Sequence, residues 1–224
     1  MAELPPQSNT ARARFGTITN ELGAGLLTKV FGLLAFSMAF AVAGGVVGAK
    51  AGPGLFLPAI IAEFVLIFAV QRMREREGWN IALLYAFAFA SGITLGLIVA
   101  LYIGAGAGGA VLEAGVITGG MTVGLSAYAL TTQRNLIGLR PFLFMGVLGL
   151  FVAMIANIFV GGTALSMAIG WIGAFLFSVL LVVDVNRTRY TADTMGNAVV
   201  ITMAVYLDIV NLFLFILRIV NGRR

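Results

Sequence analysis

The chain has 224 residues, 60% of them hydrophobic and only 10% charged, against roughly 25% charged in an average soluble domain, so a membrane protein without a separate soluble domain is expected. Cysteine and histidine are both absent, which removes disulfides, Cys/His zinc sites, haem held by His or Cys, and any Ser-His or Cys-His nucleophile pair. The formal net charge of +5 would suggest nucleic acid in a soluble protein, but here the arginines fall between apolar runs and act as a topology signal, so nucleic acid is not an expected partner.

In chain order, residues 1–26 form a polar N-terminal segment without a convincing signal-peptide cleavage site. Apolar runs follow at about 27–48, 55–71, 80–103, 110–131, 141–160, 165–185 and 198–220. Each is close to the roughly 20 residues of a spanning helix and about twice the length of a barrel strand. The expectation is therefore an all-α integral membrane protein with a seven-helix transmembrane domain over 27–220 and a basic tip at 221–224. Short connections separate the runs, among them Gly161-Gly162-Thr163; the longest is Asn186 to Asn197. Small residues recur four apart at Gly44/Gly48, Gly92/Gly96, Gly115/Gly119 and Gly120/Gly124, where close helix packing within the bundle is expected.

Charge orients the bundle. The N-terminal segment and the second, fourth and sixth connections carry Arg12, Arg14, Lys29, Arg72, Arg74, Arg76, Arg134, Arg140, Arg187 and Arg189, whereas the first, third and fifth carry only Lys50. By the positive-inside rule the N-terminus is cytoplasmic. Seven full spans then place Arg218, Arg223 and Arg224 outside; a re-entrant last segment would return them, as charge alone favours, but its length of 23 residues without internal glycine or proline favours a full span.

A few ionisable groups fall inside the apolar runs, where each costs roughly 2.5–3.5 kcal/mol and so needs partners or water. These are Glu63, Asp184 and Asp208. Asp184 and Asp208 are 24 residues apart with Gly196 midway, inside the turn-like stretch Asp193-Thr194-Met195-Gly196-Asn197. A hairpin turning there puts both carboxylates at one depth. Either they face each other, and then hold one proton between them because two close carboxylates cannot both ionise cheaply, or each faces its own polar cavity or turn. Glu63 and Arg74 are 11 residues apart, about three turns on one face. Arg74 lies at a depth from which it can bridge to either aspartate, or it serves with Arg72 and Arg76 as an interfacial anchor. Asn157 and Asn211 are supporting polar groups with interhelical hydrogen bonding as their default role.

Several stretches resemble the Bax inhibitor (TMBIM) family of membrane proteins. Tyr206-Leu-Asp-Ile-Val-Asn-Leu-Phe-Leu-Phe-Ile-Leu-Arg218 is similar to its last-helix signature. Phe87-Ala-Phe-Ala-Ser-Gly-Ile-Thr-Leu95, Leu125-Ser-Ala-Tyr-Ala-Leu-Thr-Thr-Gln-Arg-Asn135 and Ala156-Asn-Ile-Phe159 resemble its third-, fourth- and fifth-helix motifs. The likeness covers about Lys29 to Val220 and is greatest to the family's bacterial YetJ type, which implies a bacterial inner membrane. It implies two three-helix layers around a central C-terminal helix, and a pH-sensitive calcium leak. It also implies that Asp184 and Asp208 form an aspartate latch with Arg74 as counter-charge, and that Glu63 is the acidic residue of the second helix. Asn135 stands where many members carry Asp, and Val183 precedes Asp184 where Tyr is common.

The leading expectation is thus a passive, proton-gated pathway for calcium as permeant ion, without a resident cofactor. Glu63, Asp208, backbone carbonyls and water would form a weak, transient ligand set. The alternative is a membrane-embedded regulator that binds other membrane proteins, such as a quality-control protease or stress- and apoptosis-related partners, without flux of its own. An intramembrane aspartyl protease is not expected: its Tyr-Asp and Gly-x-Gly-Asp motifs are missing, since Asp184 follows Val183 and Asp208 follows Leu207.

Overall fold

Apolar runs of this length, each ended by glycine, proline or a charged stretch, can satisfy their backbone only as helices in lipid; Pro58 and Pro141 fall in the first turn of their helices, where proline is tolerated. The computed structural model, which describes the backbone of residues 8–223 and the side chains of residues 25–223, contains seven long helices and no strand among those residues. They are α1 (Ser8–Ala51), α2 (Phe56–Arg72), α3 (Trp79–Gly104), α4 (Gly108–Thr131), α5 (Arg140–Val160), α6 (Thr163–Arg187) and α7 (Met195–Gly222). All seven are long and apolar enough to cross a membrane. The side chains of Arg12, Arg14 and Arg224, which enter the charge balance above, lie outside the described residues.

Two boundaries differ from the sequence expectation. Helix α1 begins at Ser8, so most of the polar N-terminal segment continues the first span as helix; no proline stands between Ser8 and Ala51 to stop it. The turn of the last hairpin lies over residues 188–194, earlier than the stretch around Gly196. Thr194 caps α7, its hydroxyl accepting from the Asn197 amide at 3.2 Å, so Gly196 lies inside the helix. The α5–α6 connection is only two residues, Gly161 (φ 68°) and Gly162 (φ 98°), a backbone that side-chain-bearing residues rarely adopt.

The helices fall into two groups of three. Helices α1 and α2 pack on α3, α4 and α5 pack on α6, and α7 touches α1, α2, α3, α4 and α6. This is the layered arrangement around a C-terminal helix that the resemblance implies. Its centre is Tyr206 of α7, wholly buried and edge-on to Phe87 of α3 with ring centroids 5.7 Å apart; the last- and third-helix motifs thus meet in the core. Close approach of α1 and α3 rests on four glycines. A Cβ at Gly44 or Gly48 would strike the backbone of Phe89 or Ile93, and one at Gly92 or Gly96 the backbone of Ala41 or Gly45. On α4 the expectation of tight packing is not met: nothing lies within 4 Å of where a Cβ of Gly115, Gly119, Gly120 or Gly124 would stand.

Candidate functional site

Helix register decides the depth of the two membrane aspartates. Gly173 faces Phe215 and Gly170 faces Ile219 across the α6–α7 contact. Continued along antiparallel helices, this register sets Asp184 near Ala204 and Asp208 near Leu180, an offset of about one turn, or ~5 Å. The carboxylates are therefore not at one depth: the turn expected at Gly196 lies earlier in the chain, so the symmetric spacing does not apply. Both are nonetheless buried, 3% and 4% exposed, and both line one cavity of about 710 Å³ between α5, α6 and α7, with Arg140, Leu180, Ala204 and Asn211. They are close enough to interact electrostatically, but no hydrogen bond joins them.

The two carboxylates have unlike surroundings. Asp184 forms an ion pair with Arg140, Nε to Oδ1 at 3.0 Å. Arg140 opens α5 immediately before Pro141, a residue suited to the first helical turn. Its side chain is 39% exposed, so it stands between the buried aspartate and the arginine-rich end of the bundle. Arg187, one turn after Asp184, lies within electrostatic reach of Asp184, Arg140 and Arg74, and its Nη1 is buried without a hydrogen-bond partner. Among the described residues Asp208 has no cation in contact, and its Oδ2 is buried without a hydrogen-bond partner.

Arg74 does not occupy the bridging position expected of it. It lies in the α2–α3 connection, half-exposed, with Nη2 3.4 Å from Glu75 Oε1. Its carbonyl accepts from Asn80 Nδ2 at 2.9 Å and packs so closely on α7 that a Cβ at Gly196 would come within 2.6 Å of it. Gly196 is twelve residues from Asp208, about 18 Å of helix. The 11-residue spacing from Glu63 assumes one continuous helix, but α2 ends at Arg72, so the shared-face argument does not reach Arg74.

Glu63 is likewise in another place. It accepts a hydrogen bond from the Thr94 hydroxyl of α3 and lies within electrostatic reach of Tyr206; it does not line the cavity of the aspartates. No cluster of three acidic groups able to hold a metal ion occurs among the described residues. The asparagines also depart from interhelical bonding. Asn211 donates to the Leu207 carbonyl of its own helix at 2.8 Å, and the buried Asn157 Oδ1 has no partner.

Sequence reasoning missed Arg140 although a signal was present. The midpoint between Arg140 and Asp184 is Gly162, in the tightest turn of the chain, so the hairpin argument applied to α5–α6 would have set the two level. Also missed were Asn186 and Arg189, which tie the end of α6 to the fourth-helix motif. Asn186 accepts from the Leu136 amide at 3.1 Å and donates to the Ala129 carbonyl at 3.2 Å, and Arg189 Nη1 donates to the carbonyls of Leu130 and Thr132 at 3.1 and 2.6 Å. These are backbone contacts, for which side-chain spacing carries no signal.

Six apolar helices around a seventh, buried C-terminal helix, with two membrane aspartates, define a multi-pass membrane protein. Residues 23–224 match the family described as inhibitor of apoptosis-promoting Bax1, and the chain belongs to this Bax inhibitor family. It is similar to the inner membrane protein YbhL of Escherichia coli K12, 30% identical over 74% of each chain. It is also similar to an uncharacterized protein of Deinococcus radiodurans, 32% identical over 75% of each. An uncharacterized membrane protein of Vibrio cholerae is 37% identical over 47% of this chain and 46% of its own.

Proposed function

We propose that the protein is a passive cation pathway, with calcium as its cation, gated by the protonation of Asp184 and Asp208 and by Arg140 as counter-charge. The observation that carries this reading is Asp208: a carboxyl buried in the bundle, lining a cavity, with one oxygen lacking a hydrogen-bond partner. A buried unpaired charge is strongly unfavourable. In the arrangement described, Asp208 therefore carries a proton while Asp184 is ionised against Arg140. Loss of the proton from Asp208 gives the cavity a net negative group, and a hard cation such as calcium is suited to its oxygens, those of Asp184 and water. The Arg140–Asp184 pair closes the arginine-rich end, which the positive-inside rule assigns to the cytoplasm together with the N-terminus. Glu63 is assigned to the α2–α3 contact instead of to the ion's path.

The test is calcium uptake by liposomes containing only the purified protein, followed from pH 5 to pH 8. Uptake above that of empty liposomes, varying with pH, is the expected result. No uptake at any pH, with a membrane protein that co-purifies stably, would favour a regulator acting through partners.

A further inference from the structure

A second cavity, of about 950 Å³, lies beyond the first, near the upper end of the roughly 300–1,000 Å³ usual for ligand pockets. Along α7 it runs from Asn221 to Asn211, ten residues or about 15 Å. Its walls come from both helix groups, Phe64 of α2 and Phe151 of α5 among them. These two side chains are 58% and 56% exposed, so the cavity opens sideways, where a membrane-spanning protein meets lipid tails.

Polarity is graded along it. Apart from Asn211 at the far end and Tyr102, the lining of the body is apolar, while Thr163, Ser166, Arg218 and Asn221 stand at the end near the α5–α6 turn. Arg218 is drawn inward rather than extended to solvent: its Nε donates to Ser166 Oγ at 2.9 Å, and it forms no ion pair with any described residue. A half-buried guanidinium without a counter-charge among the described residues, at the polar end of a laterally open cavity, complements an amphiphile with an anionic head. We infer that this cavity is a binding site for an anionic phospholipid, its phosphate on Arg218 and Ser166 and one acyl chain along the apolar wall. The guanidinium is suited to two parallel hydrogen bonds to phosphate oxygens. Phe144, Val147, Phe177 and Asn211 line both cavities, so the chain would end against the wall of the aspartate cavity. Lipid binding itself does not depend on the cation-pathway reading.

Thermal unfolding of the full chain in detergent, read without any flux measurement, tests this. Phosphatidylglycerol, phosphatidylcholine with the same acyl chains, and inorganic phosphate are titrated separately. Phosphatidylglycerol is expected to raise the midpoint at a tenfold or lower concentration than phosphatidylcholine, with no shift from phosphate alone. Arg218→Gln should abolish that preference, whereas Arg76→Gln, in the α2–α3 connection, should retain it. If Arg218→Gln does not fold, Leu214→Trp serves: it leaves Arg218 and Ser166 in place, fills the apolar part, and should remove stabilisation by the lipid. Equal response to the two lipids, a preference that survives Arg218→Gln, stabilisation that survives Leu214→Trp, or a full response to phosphate alone would each overturn the inference.

Discussion

Arg140 and Arg74 separate two kinds of arginine that composition treats alike. Arg140 is in contact with a buried carboxylate, so truncating it leaves Asp184 without its ion-pair partner. Breaking a fully buried pair costs ~3–5 kcal/mol; with the Arg140 side chain 39% exposed, a loss of about 2 kcal/mol is expected for Arg140→Gln. The Arg74 guanidinium pairs with the exposed Glu75, an ion pair worth about 0–1 kcal/mol. Thermal unfolding in detergent should therefore drop by several degrees in Arg140→Gln and stay near wild type in Arg74→Gln. Calcium uptake should rise in the first variant, because the tie between α5 and α6 is gone, and remain unchanged in the second. The two aspartates were legible in the sequence because a charge inside an apolar run is conspicuous. Their cation was not, because Arg140 sits at a helix start among other loop arginines, and only the turn at Gly161-Gly162 distinguishes it.

At the scale of helices, the glycine pairs divide. Those of α1 and α3 allow backbone contact, and an added methyl there forces the helices apart; overpacking of this kind costs roughly 1–3 kcal/mol. Those of α4 face open space. Gly92→Ala should lower the unfolding midpoint by several degrees, while Gly119→Ala should leave it unchanged or raise it, since alanine favours helix over glycine by up to ~1 kcal/mol. Equal effects would contradict the packing described. Spacing alone predicted all four pairs to be packed, because a four-residue interval marks a helix face without saying what lies against it. Helix number and most ends were well marked by glycine, proline and charge; the exceptions were the start of α1 at Ser8 and the last turn, where Thr194 caps α7 one residue before the Met195-Gly196 pair.

For the whole molecule, orientation and centrality were unequally readable. Lipid tails are as apolar as leucine, so hydropathy does not separate the central α6 and α7 from the peripheral α2 and α5; the ionisable groups Asp184 and Asp208 were the better guide to the interior. Orientation rests on charge asymmetry, and the absence of cysteine makes it simple to test. Glu75→Cys, in the α2–α3 connection, should react with an impermeant thiol reagent only when cells are opened, and Ala105→Cys, in the α3–α4 connection, in intact spheroplasts; the reverse pattern would invert the bundle. The central claim is that Asp208 and Asp184 set the pH response of a cation pathway. Calcium uptake into liposomes from pH 5 to pH 8, compared among wild type, Asp184→Asn and Asp208→Asn, tests it most directly. Profiles flattened in both variants, with Asp208→Asn also reducing uptake at the alkaline end, are predicted; a wild-type pH profile in both would contradict the account.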